Sequence, residues 1–334
     1  MISLSIILPV YNGEKNIARC IQSIFAANCG HMELIIINDG STDTSQTTIE
    51  QIIRDNSGSD LKVRLIEQEN HGVAYARNRG IEIAQGRYMV FVDQDDYIRE
   101  DYCRRMLKEI SSRKADVVAA GFVRADGNRR ELYRQKLQET DWSPYIMTAP
   151  WAHIYRTEFI REHKITFLDT GIGEDAYFNQ MAYAYAGRVE AIPYEGYFWV
   201  DNPKSFSNTK QVSISSQADP FLLLERLQKD LPPEKGSNGY QEYFIVRYIV
   251  WYILYTLPGS PWKDVVWMQN RLFTWLGKYY PDYHKNKNIS FTRPPGDSAV
   301  SRWSVWLVVH ARRMGLIRPL LRILSLVQRV ASLR

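Results

Sequence analysis

The stretch Tyr88-Met89-Val90-Phe91-Val92-Asp93-Gln94-Asp95-Asp96 constrains this chain most. Its first five residues have the apolar, aromatic and β-branched character of a buried strand. Three carboxylates then fall within four residues. In an extended backbone Asp93 and Asp95 point to the same side, because strand side chains alternate. Two carboxylates on one side repel, so a positive group must relieve them or one must bind a proton. A hard divalent cation meets that demand: Mg2+ and Mn2+ take one or two protein carboxylates and leave positions for phosphate oxygens. The plainer reading ends the strand at Asp93 and lets Asp95 or Asp96 cap a helix starting near Ile98.

The preceding residues alternate between two periods. Leu4 to Leu8 reads as a strand closed by Pro9, Glu33 to Ile37 as a second and Val63 to Ile66 as a third. Ile17, Ile21, Ile24 and Phe25 fall at helical spacing, a helix runs to about Asp55, and another spans Gly72 to Ala84 with Gly86 as its stop. That order predicts an α/β fold with a parallel sheet and right-handed crossovers, continued by Asp116 to Gly121. Ligands of such sheets bind beyond the carboxyl ends of the strands. Polar clusters follow each strand there: Tyr11, Asn12 and Glu14; Asp39 and Asp43; Glu69, Asn70 and His71; then the three aspartates. Neither a Gly-x-Gly-x-x-Gly after the first strand nor a Walker lysine is present, which disfavours dinucleotide and P-loop sites.

At 334 residues, 45% hydrophobic and 24% charged, the chain can build a sizeable core in one large or two modest domains. Cys20, Cys29 and Cys103 are widely spaced, fitting buried thiols in a reducing compartment. No signal peptide is visible, and no apolar run reaches the about 20 residues a bilayer span requires. From Ser298 to Arg334 there are seven arginines, no lysine and no acid, so the rest carries −2 against the whole chain's +5.

Five motifs in order carry a resemblance: Pro9-Val10-Tyr11-Asn12; Asn38-Asp39-Gly40-Ser41-Thr42-Asp43; Asn70-x-Gly72 with Ala76-Arg77-Asn78-x-Gly80; Asp93-x-Asp95-Asp96; and Gly173-Glu174-Asp175-x-x-Phe178. Together they resemble family 2 glycosyltransferases of the GT-A fold over about residues 1 to 210. The resemblance implies a mostly parallel central sheet flanked by helices, and inverting transfer of a sugar from a nucleotide-diphosphate donor, a UDP-sugar foremost. It implies that Asp39 binds the nucleotide base, that Asp93 reaches the ribose or metal shell, and that Asp95 coordinates Mn2+ or Mg2+. Asp175 would be the general base. Pro9, Tyr11, Glu14, Asn70, Gly72 and Arg77 are the further donor-side candidates. The chemistry is consistent: a leaving diphosphate needs its growing charge neutralised, and an attacking hydroxyl needs a carboxylate to take its proton.

On this reading residues 1–214 form the transferase domain, 1–97 the nucleotide-sugar half and 98–214 the acceptor half. Glu174 and Trp151 are acceptor-side candidates; Trp151 either stacks on a sugar or fills core. Many relatives carry an arginine or histidine where Trp199 stands, so Lys204 becomes the substitute phosphate contact. Residues 215–297 form an aromatic-rich helical extension, broken by Pro258, Gly259 and Pro261, with a polar linker from Asp282 to Asp297. Residues 298–334 form basic amphipathic helices, in which, from Pro319 on, Leu320, Leu324, Val327 and Ala331 repeat on one face and Arg318, Arg322, Ser325 and Arg329 on another. This tail either packs back on the domain or lies on anionic lipid, the latter being favoured. The expected enzyme is cytoplasmic and peripheral on the inner membrane face, adding a sugar to a glycan or lipid-linked glycan in bacterial surface polysaccharide assembly. Two alternatives are a sugar-nucleotide nucleotidyltransferase, whose Gly-rich basic first loop is missing here, and a non-catalytic nucleotide-sugar-binding or scaffold protein. Nucleic acid is not an expected partner, since the tail carries no recognisable module for it.

Overall fold

The computed structural model describes residues 2–170, 173–202, 213–214, 219–233 and 238–331. It divides into two compact units, Met1–Thr170 with Glu174–Asn202, and Gly171–Gly173 with Pro203–Arg334. Lys204, Gly171 and Ile172, to which the sequence reading gave parts, lie outside the described residues.

The first unit is built on β1 (Leu4–Val10), whose residues are all buried. It pairs in parallel with β2 (Met32–Asp39) and with β4 (Tyr88–Phe91), so that Leu4 faces both Met32 and Tyr88. β3 (Lys62–Gln68) extends the parallel run beyond β2. Three helices cover these strands: α1 (Ile17–Ala26), α2 (Ser45–Asp55) and α3 (Val73–Ile83). The chain then passes a two-residue β5 (Tyr97–Ile98), α4 (Tyr102–Arg113), β6 (Val117–Ala125), β7 (Glu131–Gln135), β8 (His153–Arg156), α5 (Thr157–Glu162), α6 (Glu174–Tyr185) and β9 (Val189–Val200). The strand order is β3-β2-β1-β4-β8-β6-β9-β5, with β7 on β6. β6 therefore continues the sheet, as expected, but through the antiparallel β8, and it runs parallel to β9.

Several local expectations need correction. β1 does not close at Leu8 but runs through Pro9 to Val10. Val92 N–H bonds Ile7 C=O, so Ile7 and, two residues on, Pro9 turn their backbone groups toward the β4 side, where strand pairing ends at Phe91. The missing N–H of Pro9 thus falls where no ladder bond is needed. The helix expected near Ile98 begins at Tyr102, and Asp96 caps nothing. Gly86 is not the left-handed stop of α3. A Cβ there would lie 2.5 Å from the backbone nitrogen of Ser5, and Gly86 N–H donates to Ser5 Oγ. Its glycine is required by close approach to β1.

The second unit is helical. α7 (Phe221–Asp230) precedes α8 (Tyr240–Tyr255) and α9 (Trp262–Tyr279), separated by a 3-10 turn at Leu257–Gly259. The polar segment from Asp282 to Asp297 is not a solvated linker. Asn288 and Asp297 are buried, Asn288 donates to Asn238 C=O at 2.7 Å, and Asp297 accepts from Tyr243 Oη at 3.1 Å. The tail forms α10 (Ala299–Arg313) and α11 (Ile317–Ala331), and Val305, Val308, Val309, Ile317 and Leu321 enter the core. The buried register of α11 is thus Ile317 and Leu321, whereas Leu320 and Leu324, placed on the apolar face by the sequence, are half-buried. Packing back does not exhaust the tail: Val300, Trp303, Leu307, Met314, Leu316 and Ile323 remain exposed. Among the described residues, no helix is long and apolar enough to cross a membrane.

Gly80 sets how closely α3 lies on the sheet, because a Cβ there would sit 2.3 Å from Ile7 Cγ2, inside a side chain that is fully buried. Gly80→Ala should therefore destabilise the fold, although alanine is favoured over glycine in a helix by about 1 kcal/mol. Overpacking of this kind costs about 1–3 kcal/mol. Urea unfolding should show a lower midpoint at unchanged slope, and the double variant with Ile7→Ala should lose less stability than the sum of the two single losses.

Candidate functional site

The loops after β1 and β2 are zipped by side-chain-to-backbone bonds. Asn12 N–H donates to Ser41 Oγ at 3.1 Å, and Asn12 Oδ1 accepts from Thr42 N–H at 2.8 Å. Gly13 N–H donates to Ser45 Oγ, Asp43 accepts from Glu14 N–H, and Glu14 Oε2 accepts from Thr44 Oγ1 at 3.0 Å. Glu14, a donor-side candidate, is thus engaged in joining these loops. Asp39 ends β2 almost fully buried and accepts from Gln68 Nε2 at 2.7 Å, His71 N–H at 2.9 Å and Gly72 N–H at 2.7 Å. It ties β2 to the loop after β3 and keeps spare acceptor capacity on Oδ2. Gly72 sits at φ 89°, which only glycine adopts without strain. Gly40 sits at φ 71°, and a Cβ there would be 2.8 Å from Asn70 N. Asn70 and Gly72 are thereby fixed on one rim with Asp39, while the Tyr11 ring is half-exposed.

The α3 motif resolves residue by residue. Ala76 is buried against β2, Gly80 against β1, and Asn78 exchanges two hydrogen bonds with the Phe167 backbone at 2.8 and 2.9 Å. Arg77, 3% exposed, reaches the strand ends. Its Nη2 donates to Asp93 Oδ1 at 2.8 Å and its Nη1 to Asp175 Oδ1 at 2.6 Å, with the Phe167 ring 5.1 Å from the guanidinium carbon. Burial works against the Arg77 charge, but Asp175, Asp93 and Glu174 together outweigh it and hold the pKa above the ordinary arginine value. Arg77 so brings Asp93, after β4, to Asp175, in the first turn of α6.

The aspartate triplet does not stay extended. Asp96 N–H bonds Asp93 C=O at 3.0 Å, closing a turn that sends the three carboxylates in different directions. Asp93 goes to Arg77. Asp95 accepts from Asn16 Nδ2 at 3.0 Å and Asn202 Nδ2 at 3.2 Å, and its carbonyl accepts from Arg19 Nη2 at 2.7 Å. Asp96 is buried, accepting from Tyr197 Oη at 2.7 Å and Val200 N–H at 2.8 Å. Burial, reinforced by Asp93, pushes its carboxyl well above the usual range. The expected repulsion is met by an arginine, by divergence and by one carboxyl whose pKa burial raises. Gln94 had no role in the sequence reading, yet its amide exchanges two 2.9 Å bonds with the Tyr11 backbone and locks this turn to the loop after β1.

Asp175 is 30% exposed on its side chain. Burial raises its pKa, Arg77 opposes, and Glu174 and Asp93 add to the rise, leaving it at about 8. Arg77 takes Oδ1; Oδ2 has no partner among the described residues. Glu174 precedes it, its own carboxyl raised chiefly by burial. Trp151, left open between sugar and core, is in the core: its ring stacks on Tyr197 at 4.8 Å and is edge-on to Phe122 at 5.0 Å. Trp199 carries a cation the sequence did not place there, the Arg124 guanidinium 4.7 Å from its ring.

Asp93 and Asp95 stand two positions apart in this turn and diverge, Asp93 to Arg77 and Asp95 to the Asn16 and Asn202 amides. Among the described residues no group of three or more His, Cys, Asp or Glu side chains forms a closed metal site. A divalent cation that keeps positions for water or phosphate oxygens needs only one or two protein carboxylates, and the Asp95 carboxylate accepts from amides and not, like Asp93, from Arg77.

The family model described as Glycosyl transferase family 2 matches residues 5–173, just over half of the chain. The Bacillus subtilis uncharacterized glycosyltransferase EpsJ is 31% identical over 223 residues, 61% of this chain and 62% of EpsJ. Streptococcus pneumoniae glycosyltransferase GlyA is 30% identical over 206 residues, 56% of this chain and 29% of GlyA. Matches to these curated relatives thus span less than two thirds of their length. The crystal structure of Staphylococcus aureus TarS 1–349 in complex with UDP-GlcNAc superposes with a TM-score of 0.70 at 18% identity, covering 94% of this chain and 92% of that one, and shares the fold. By its matching residues, which run from β1 through the aspartate turn to the start of the acidic motif, the chain belongs to glycosyl transferase family 2.

Proposed function

We propose that this glycosyltransferase moves a sugar from a UDP-sugar to an acceptor hydroxyl with inversion, in surface polysaccharide assembly. One observation carries the reading: a single buried guanidinium joins Asp93 of the aspartate turn to Asp175 of the acidic motif. A donor diphosphate at the turn then lies beside a carboxylate whose second oxygen can face an acceptor. The half-exposed Tyr11 ring and the spare acceptor capacity of Asp39 suit the nucleotide base. Asp95, with Asp93 beside it, would hold Mn2+ or Mg2+, and that ion when bound supplies charge neutralisation at the diphosphate. Asp175 Oδ2 takes the acceptor proton as the acceptor oxygen bonds the anomeric carbon and the bond to the diphosphate breaks. Arg77 fixes the orientation of Asp175 and protects its charge.

A UDP-sugar donor is supported by the TarS fragment, which binds UDP-GlcNAc, and a polymer acceptor by the name of TarS, a poly(ribitol-phosphate) beta-N-acetylglucosaminyltransferase 27% identical over 206 residues. The tail favours a membrane-linked acceptor. Val300, Trp303 and Leu307 form an exposed stripe at helical spacing on α10, and Arg313, Arg318 and Arg322 are exposed nearby in sequence. Apolar and basic residues together suit the headgroup region of an anionic bilayer on the cytoplasmic side.

Asp175→Asn should still be stabilised thermally by UDP-sugar and Mn2+, while turnover falls about 10²- to 10⁴-fold, because proton removal alone is lost. The base acts deprotonated, so the wild-type rate should rise with pH along a limb displaced from the carboxylate range toward about 8, and Asp175→Asn should lack that limb. Loss of donor stabilisation in Asp175→Asn would move the residue to the donor site. Asp95→Asn should lose transfer by several orders of magnitude, and chelator should silence the wild type until Mn2+ or Mg2+ is restored. Full activity in excess chelator would overturn the cation's part. Trp303→Ser with Leu307→Ser should weaken sedimentation with phosphatidylglycerol vesicles without unfolding the chain, since both side chains are largely exposed. Equal sedimentation of this variant and the wild type would remove the membrane reading.

A further inference from the structure

α9 buries Val265, Met268, Leu272 and Leu276 on one side. On the other it carries Trp267, Asn270, Arg271, Thr274, Trp275 and Lys278, at steps of three and four, so they share one face. A helix face turned to water ordinarily carries short-lived pairs of charges, not tryptophan amid hydrogen-bonding groups. With Phe221 and Glu225 of α7 this face encloses an open pocket of about 430 Å³, within the range of small-ligand sites.

The pocket is organised. Trp267 is 54% exposed, whereas Phe221 and Trp275 behind it are buried. The Arg271 guanidinium lies 3.9 Å from the Phe221 ring centre and 5.4 Å from that of Trp267, with Asp219 3.8 Å away to hold its charge. Arg312 of α10 reaches Asn270 Oδ1 at 3.5 Å. Stacking and pairing keep the Arg271 donors aimed rather than free to rotate. The cations Arg271, Lys278 and Arg312 stand against the acids Asp219 and Glu225, but Arg271 is paired with Asp219 and Arg312 is turned to Asn270, so they form no common anion cradle. An open aromatic face ringed by amide, hydroxyl and charged groups matches a pyranose, whose C–H face is apolar and whose hydroxyls both donate and accept.

We infer that this face of the helical unit is a glycan-binding subsite, with Trp267 the stacking platform and Asn270, Arg271 and Glu225 the hydroxyl partners. It takes the sugar residues of a glycan chain. The inference rests on the glycosyl-transfer reading for its ligand class, and its test needs no catalysis.

The full chain is titrated calorimetrically with cellotetraose, maltotetraose, chitotetraose and, separately, orthophosphate. At least one tetraose should bind the wild type, and Trp267→Ala should weaken it tenfold or more, with Trp267→Phe retaining most of the affinity. UDP-sugar with Mn2+ should stabilise wild type and Trp267→Ala equally, showing both folded. No tetraose binding, equal binding by Trp267→Ala, or heat from orthophosphate alone would overturn the subsite. Failure of UDP-sugar to stabilise the wild type while a tetraose still binds through Trp267 would instead sink the donor reading and leave the subsite standing.

Discussion

One buried guanidinium, that of Arg77, holds the centre of the first unit together. It lies between two carboxylates that would otherwise repel, and its own burial is tolerable only because both are there. Removing one carboxylate still leaves Arg77 paired with the other, whereas removing Arg77 leaves two carboxylates facing each other, so the guanidinium is the member the set depends on. Each is positioned by different machinery: Arg77 by a helix pressed on β1 through Gly80, Asp93 by a turn closed at Asp96, Asp175 by the first turn of α6. The electrostatics of the site therefore inherits the precision of the sheet.

Much of this was legible in the sequence because its periodicities were local. The β-α alternation up to Phe91 follows from apolar spacing, and the carboxyl-end rim follows from the parallel order. What was not legible depended on contacts across long stretches of chain. Nothing in Asp93-x-Asp95-Asp96 tells that the backbone turns, or that Tyr197 and Val200 claim Asp96 while Asn16 and Asn202 claim Asp95. Gly86 read as a helix stop because glycine serves both left-handed caps and close contacts, and only the proximity of Ser5 separates the two. Gln94 was passed over as the variable position of its motif, although its amide bonds the Tyr11 backbone in both directions.

The helical unit taught a different lesson. Hydrophilic composition from Asp282 to Asp297 suggested a polar link, but asparagine amides there donate to the Gly239 and Asn238 carbonyls and tie the segment to the start of α8. Polar residues can close a core as well as leave it. Likewise, arginine-rich α10 and α11 contribute aliphatic residues to that core and still leave Trp303 and Leu307 outside, so core packing and an outward-facing function are compatible in one helix.

The Arg77–Asp175 contact joins residues 98 positions apart, and the bond from Tyr197 to Asp96 spans 101. Closing loops of that length is slow compared with forming the neighbouring strand-helix units of β1 to β4. A chain emerging from its amino end can thus complete the parallel strands before α6 or β9 exists. During that interval Arg77 and Asp93 are present but the partner at position 175 is not. On the role proposed for Asp175, turnover is a late property of biosynthesis: an incomplete chain can gather the rim at the ends of its parallel strands early, yet it transfers no sugar until the sheet has closed.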